Sequence, residues 1–369
     1  MTQFYGKTKI CYGEDALETL EKLPIKQAFI VTDPFMVKTG FADRLKTHLD
    51  LGGIGHTTFD GVEPDPSLET VTRGTHLFMQ NHADAVIALG GGSAIDAAKA
   101  IAFFAGKVDT SRPKPLLVAI PTTAGTGSEV TAISVVTDKV NEVKIPLNDE
   151  MLIPDLAILD ARFTRTLPPS VTSVTGMDVL THAIEAYTSR KANTFTSIYA
   201  EHAIRYVFKY LPRAYKCSDD MEAREMMLLA SCMAGMAFNN SGLGITHSIA
   251  HSLGGIFHIP HGLANAVVLP FVIQFNSFDA GVQYREIAQM LSLPAGSVGE
   301  GTNSLIKAVR DLNESMGIPG RVGALKIEES AYRQHREVIA RNVLDDICTA
   351  GNPRTPSRDD IKTLLDHAW

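Results

Sequence analysis

The chain has 369 residues, 45% of them hydrophobic and 20% charged, and a formal net charge of −7. That length is enough for two domains with separate cores, the composition is that of a soluble globular enzyme, and an acidic chain without basic runs excludes the usual nucleic-acid-binding footprint. Four cysteines with no C-x-x-C pair, no apolar segment at the N-terminus and no uncharged apolar run of about eighteen residues argue against a zinc ribbon, a secretory signal and a membrane span, and fit a reducing cytoplasm.

Residues 5–12 (YGKTKICY) alternate as a strand, and residues 13–23 follow as a helix with Ala16, Leu17, Leu20 and Leu23 on one side. The apolar run 27–33 (QAFIVTD) predicts a buried parallel strand with Asp33 at its carboxyl end, where ligands gather in doubly wound sheets. Next come a helix over 41–49, a strand over 56–59, the turn-rich DGVEPDPS and a helix running from a Ser67 cap to about Asn81. In residues 83–105 a strand enters Gly90, Gly91 and Gly92, and Ser93 is expected to N-cap an alanine-rich helix. Glycines let a backbone approach closely, and a helix start offers free N–H groups, so the unit reads as a phosphate cradle. A plain tight turn has the same composition, and GGGS is not the G-x-G-x-x-G fingerprint. Another strand leads through Pro121 into a loop of small hydroxyl residues, Thr122, Thr123, Thr126 and Ser128, suited to touching a ligand. Residues 156–160 (LAILD) complete the sheet in chain order.

From about Thr164 the character changes. A Pro/Ser/Thr connector precedes helices expected over 171–190, 194–211, 219–239, 246–255, 261–276, 282–292 and 301–316. The predicted architecture is an α/β nucleotide-binding domain over 1–165 followed by an all-helical domain over 166–369. Residues 247–261 hold four of the twelve histidines: His247, His251, His258 and His261. His247 and His251 are four apart and share a helix face, with Gly254 and Gly255 placed to end that helix. Asp178 and His182, also four apart, form a second group upstream. One carboxylate with several imidazoles suits Fe(II), Zn(II), Co(II) or Mn(II).

The segments GGGSAIDAAKAIA, PTTAGTGSEVT, GMDVLTHAIEAYTS, the His247–His261 run with GLANAVVLP, and LDDICTAGNPR together resemble the iron-containing (group III) alcohol dehydrogenases. These are relatives of lactaldehyde reductase and 1,3-propanediol dehydrogenase, and the compact length is similar to that of the 1-propanol dehydrogenases. The resemblance implies a dehydroquinate synthase-like fold and an NAD(H)-linked reaction on small primary alcohols, diols or aldehydes. It implies that Asp178, His182, His247 and His261 bind a divalent metal, Fe(II) in most of the family, with Zn(II) the alternative. It assigns the pyrophosphate to Gly91, Gly92 and Ser93, the cofactor lining to Thr122, Thr123 and Thr126, the ribose side to Lys144, and the adenine ribose to Asp33, which disfavours an NADP phosphate. By the same resemblance Phe238 narrows the substrate channel and His251 is a non-ligand histidine near the substrate; His251 is expected to relay a proton to solvent, and His258, which matches no functional position, reads as structural. PDP at 64–66 replaces the family's PNP, which puts a cofactor contact at Asp65 in doubt. Homodimerisation through an edge strand at residues 5–12 is expected, in the cytoplasm or in a bacterial microcompartment. Two rivals stand beside this reading: a dehydroquinate synthase-type lyase, which needs a basic pocket for a phosphorylated acid, and a nucleotide sensor that kept the fold.

Overall fold

The computed structural model describes residues 3–111, 113–141 and 143–369. It divides into two compact units. One spans Tyr5–Leu167, and the other joins Pro168–Trp369 to the first residues of the chain, where Phe4 stacks on Phe195 and Tyr199.

The first unit carries strands β1 (Lys9–Tyr12), β2 (Gln27–Val31), β3 (Gly55–Phe59), β4 (Ala85–Gly90), β5 (Leu116–Pro121), β6 (Ile133–Asp138), β7 (Val143–Asn148) and β8 (Leu156–Leu159). Its helices are α1 (Pro34–Lys38), α2 (Phe41–Leu51), α3 (Leu68–Gln80) and α4 (Gly92–Val108). Six strands form a parallel sheet in the order β1-β8-β5-β4-β2-β3. Alternation along the strands divides the core. Phe29, Val31, Val86, Ala88, Leu117 and Ala119 pack on one face with residues of α3 and α4. Ala28, Ile30, Ile87, Leu89, Val118 and Ile120 pack on the other with residues of α2 and with Phe163. Each fully buried aliphatic or aromatic side chain contributes roughly 1.5–3 kcal/mol.

The strand order explains the site in this unit. β2, β4 and β5 are neighbours, with Val31 opposite Ala88 and Gly90 opposite Pro121. Their carboxyl ends therefore place Asp33, the Gly90–Ser93 loop and the Thr122–Thr126 loop side by side. The chain also reverses direction across the sheet between β2 and β4, which is where ligands enter such folds.

Three local readings change here. Residues 16–22 form a 3₁₀ helix rather than an α-helix. α4 is capped by Gly91, and Ser93 sits inside the first turn, because Gly92 already has helical geometry. The sequence reading missed the antiparallel hairpin β6–β7, whose half-exposed β7 carries Lys144.

The second unit is helical: α5 (Pro169–Thr188), α6 (Thr194–Lys216), α7 (Met221–Ser241), α8 (Ile245–Phe257), α9 (His261–Met290), α10 (Val298–Ser315), α11 (Glu329–Asp345) and α12 (Arg358–Ala368). α11 and α12 were not foreseen. α5 is its centre, with every residue from Gly176 to Ala186 buried. α8 runs through Gly254 and Gly255 and stops at His258, which adopts the left-handed cap conformation (φ 56°). α9 is one helix where two were expected. Gly281 lies in it because a Cβ there would come within 2.7 Å of Val298 Cγ1, so the glycine marks close packing with α10 and not a break. α9 is long and apolar enough to cross a membrane, but 61% of its most apolar window is buried inside the protein.

Candidate active site

The candidate nucleotide-binding loops follow from the sheet. α4 has no side-chain cap, so the first N–H groups of a seventeen-residue helix are available to an anion. Gly91 and Gly92 are dictated by the threonine loop: a Cβ on Gly91 would lie 3.3 Å from Thr123, and one on Gly92 only 2.7 Å from Thr126 Cγ2. Thr122 N donates to Gly90 O at 2.9 Å, joining the two loops. Asp33 Oδ1 caps α1 by accepting from Phe35 N (2.8 Å) and Met36 N (3.1 Å), while Oδ2 lies on the Gly90 side. Ser93 Oγ accepts from Asp65 N (3.3 Å), and Asp65 Oδ1 pairs with Lys144 Nζ at 2.6 Å. The structure thus brings Ser93, Asp65 and Lys144 together. Asp65 holds a left-handed backbone (φ 54°) to do so.

Beneath these loops lies a buried polar strap that sequence reasoning missed. Lys99 is fully buried and donates to Thr131 O (2.8 Å), Thr131 Oγ1 (3.1 Å) and Ile133 O (2.9 Å). Asp96 accepts from Ser128 Oγ (2.6 Å) and Val135 N (3.0 Å). Burial pushes Lys99 down to about 8 against the pull of Asp96 and Glu129, and pushes Glu129 up to about 7. Asp96 and Lys99 lie one and two turns into α4, so they tie the threonine loop to the helix that forms the phosphate cradle.

In the helical unit a candidate metal cluster is built by α5, α8 and α9. Asp178 and His182 lie one turn apart on α5, His247 opens α8 and His261 opens α9. One ligand-type atom from each lies within 4.8 Å of all the others. Asp178 Oδ1 is 3.5 Å from His261 Nε2 and 3.8 Å from His247 Nε2. The close approach of α5 and α9 needs Gly262, where a Cβ would sit 2.3 Å from Val174 O. Burial disfavours the Asp178 carboxylate, but the three imidazoles and the Asn265 amide outweigh it and hold its pKa below the ordinary value. Burial, aided by His182 and His261, pushes His247 well below the usual imidazole range, leaving a neutral ring. His182 Nδ1 and His247 Nε2 are buried and lack a hydrogen-bond partner. Buried ring nitrogens without partners, beside an ionised carboxylate, are what a divalent cation would satisfy, and the donor set fits one.

Three further polar residues support this cluster. Glu185 accepts from His247 Nδ1 at 2.6 Å. Asn265 donates to Asp178 Oδ1 at 2.7 Å and lies 3.1 Å from His261 Nε2. Asp346 Oδ2 accepts from His251 Nδ1 at 2.8 Å. Burial opposes the Asp346 charge, but the hydrogen bond and charge of His251 prevail and bring it down to about 2. Two of the three were visible as spacing: Glu185 is seven residues from Asp178, and Asn265 four from His261, each on its partner's helix face. His251 stacks on His261 with centroids 5.2 Å apart, and Phe238 stacks on His182 at 4.5 Å.

This geometry has known counterparts. The profile described as "Iron-containing alcohol dehydrogenase" matches residues 7–161, and that of the "Fe-containing alcohol dehydrogenase family, C-terminal" matches residues 172–369. The chain belongs to the iron-containing alcohol dehydrogenase family. The dehydrogenase is 42% identical over 380 residues to an NADPH-dependent butanol dehydrogenase of Clostridium saccharobutylicum, covering 99% of this chain and 97% of that protein. It is 40% identical over 371 residues to the 1-propanol dehydrogenase PduQ of Citrobacter freundii, covering 99% of each. A crystal structure of a 1,3-propanediol oxidoreductase superposes with a TM-score of 0.94 at 33% identity over the whole of both chains. This alcohol dehydrogenase is therefore an oxidoreductase; its relatives include NAD-dependent and NADPH-dependent enzymes, and its four-residue cluster is a candidate divalent-metal site.

Proposed function

We propose that the enzyme interconverts small primary alcohols or diols and their aldehydes, with Asp178, His182, His247 and His261 holding Fe(II), or Zn(II) in its place. The observation that carries this reading is the convergence of those four side chains, with two partnerless ring nitrogens among them. A divalent metal held there would supply Lewis-acid polarisation of an alcohol or carbonyl oxygen, and a bound nicotinamide would supply the hydride acceptor or donor. The chain's own residues supply the rest. We assign cofactor binding to domain 1–165 and catalysis to domain 166–369. Gly91, Gly92 and Ser93 take the pyrophosphate, Thr122, Thr123 and Thr126 line the cofactor, and Lys144, set by Asp65, reaches the ribose side. Asp33 takes the adenine-ribose hydroxyls and repels a 2′-phosphate, which favours NAD(H) over NADP(H). Phe238, flat against His182, narrows the substrate pocket.

His251 is the proton relay. Its Nδ1–H is held by Asp346, which leaves Nε2 to exchange a proton. Asp346 Oδ1 also accepts from Ser248 Oγ (3.1 Å), and that oxygen is 2.8 Å from Thr349 Oγ1, so the relay side chain is fixed by a hydrogen-bonded chain. A lyase acting on a phosphorylated acid needs cations around its substrate, whereas the side chains described around the metal cluster are imidazoles, acids, amides and Phe238. We further propose a cytoplasmic homo-oligomer that pairs through the outer edge of β1, where Tyr12 is 62% exposed. Light scattering tests the assembly, and cell fractionation separates free from microcompartment-bound enzyme. A panel of C2–C4 aldehydes and diols, run anaerobically with NADH and either Fe(II) or Zn(II), tests the function. Turnover of short aldehydes is expected, and NADH consumption by none of them overturns the proposal.

A further inference from the structure

We infer that Glu185 is a positioning residue of the metal site, fixing His247 for the ion while capping the helix that carries it; this rests on the metal-site reading above. Glu185 projects from the same buried face of α5 as Asp178 and His182 and is itself only 5% exposed. Its carboxylate meets three donors: Gly244 N on Oε2 (2.9 Å), Thr246 N on Oε1 (2.7 Å) and His247 Nδ1 on Oε2 (2.6 Å). The two backbone groups can only donate, so both oxygens act as acceptors. An Nδ1–H directed at Oε2 leaves the His247 lone pair on Nε2, the buried nitrogen that faces Asp178 and lacks a hydrogen-bond partner.

α8 has no cap of its own, because its N-cap residue is Gly244. Glu185 replaces that cap from α5, and Asn352 Oδ1 takes the intervening Ile245 N at 3.3 Å. The acid therefore lies against the positive end of the helix dipole. Gly244 is part of the same device. A Cβ there would fall 2.8 Å from Glu185 Oε1 and 2.9 Å from Asn352 Oδ1. One side chain thus sets the helix start, the ring orientation and the tautomer together. Such outer partners raise ligand basicity, and their loss typically weakens metal affinity or activity by about 10–100-fold.

The test is Co(II) binding to the full-length enzyme, by chelator competition and by the visible Co(II) absorption bands. Circular dichroism confirms that each variant is folded. Glu185→Gln keeps the size and one acceptor oxygen but removes the charge. It should weaken Co(II) binding by about 10–100-fold and shift the bands. Glu185→Asp, which keeps the charge, should recover part of the affinity. Gly244→Ala, which displaces the carboxylate, should weaken binding as Glu185→Gln does. A purely structural cap would lower the melting temperature of Glu185→Gln and leave the dissociation constant and the bands unchanged. That result overturns the inference. His182→Ala serves as the control for the site itself: if it binds Co(II) like the unaltered enzyme, the metal-site reading fails, and with it the basis for assigning Glu185.

Discussion

Replacing Lys99 with Met tests whether the buried strap holds the cofactor loops. The substitution keeps the stem and volume, but it removes a cation and the donor to Thr131 O, Thr131 Oγ1 and Ile133 O. It also leaves Asp96 and Glu129 buried without their counter-charge. Breaking one side of a buried ionic cluster costs about 3–5 kcal/mol. The pH dependence is specific. Glu129, raised by burial to about 7 from 4.5, keeps in the folded state a proton that the unfolded chain releases. The contribution of Glu129 to stability therefore falls as pH rises from 4.5 to 7, by up to about 3 kcal/mol at 1.36 kcal/mol per pH unit. Glu129→Gln should remove that slope. Lys99→Met should cost more at pH 8, where Glu129 is ionised, than at pH 6. Urea unfolding of each variant at both pH values measures the cost, and steady-state kinetics should show a raised KM for NADH as the threonine loop loosens. A cost below about 1 kcal/mol at both pH values would refute the reasoning, since a lost buried donor alone is worth that much.

Three other outcomes follow from particular contacts. Asp33→Gly should improve kcat/KM for NADPH relative to NADH at least about tenfold, a change of about 1.4 kcal/mol, while melting stays nearly constant because Gly serves as an N-cap at a cost of only a few tenths of a kcal/mol; an unchanged cofactor ratio contradicts the role of Asp33. Asp346→Asn should lower kcat by roughly 10²-fold without loss of metal, as His251→Ala should, because both disable the same proton relay; metal analysis beside kinetics checks this. Gly262→Ala should lower stability by about 1–3 kcal/mol by overpacking α9 against Val174 O, and should lower metal content as Asp178 and His261 are forced apart; thermal melting and metal analysis read both effects.

Much of this was legible where periodicity and chemistry coincide. The β4–glycine–α4 unit, Asp33 after β2, and Asp178 with His182 on one helix face are local patterns, and the structure places each on the element expected. What escaped was non-local. Glu185 gains its meaning from Gly244 and His247, about sixty residues away in sequence, and Asp346 from His251, about a hundred residues earlier. Lys99 carries no local signal in its alanine-rich helix, because the Thr131 and Ile133 oxygens that take its ammonium lie more than thirty residues further along the chain. Glycine misled at the end of α8: Gly254 and Gly255 were expected to stop it, and both lie inside the helix, which runs on to Phe257. Ser93 looked like the cap of α4, but the bare glycine at position 91 leaves the N–H groups open, which is the more useful arrangement for a phosphate.

The most direct test is to strip the enzyme with a chelator and follow NADH oxidation by propionaldehyde as Fe(II) is restored anaerobically. Turnover should disappear with the metal and return with stoichiometric Fe(II), and His261→Ala should show neither metal nor turnover. A stripped enzyme that turns over at its untreated rate, or a His261→Ala variant with full metal and activity, would contradict the account.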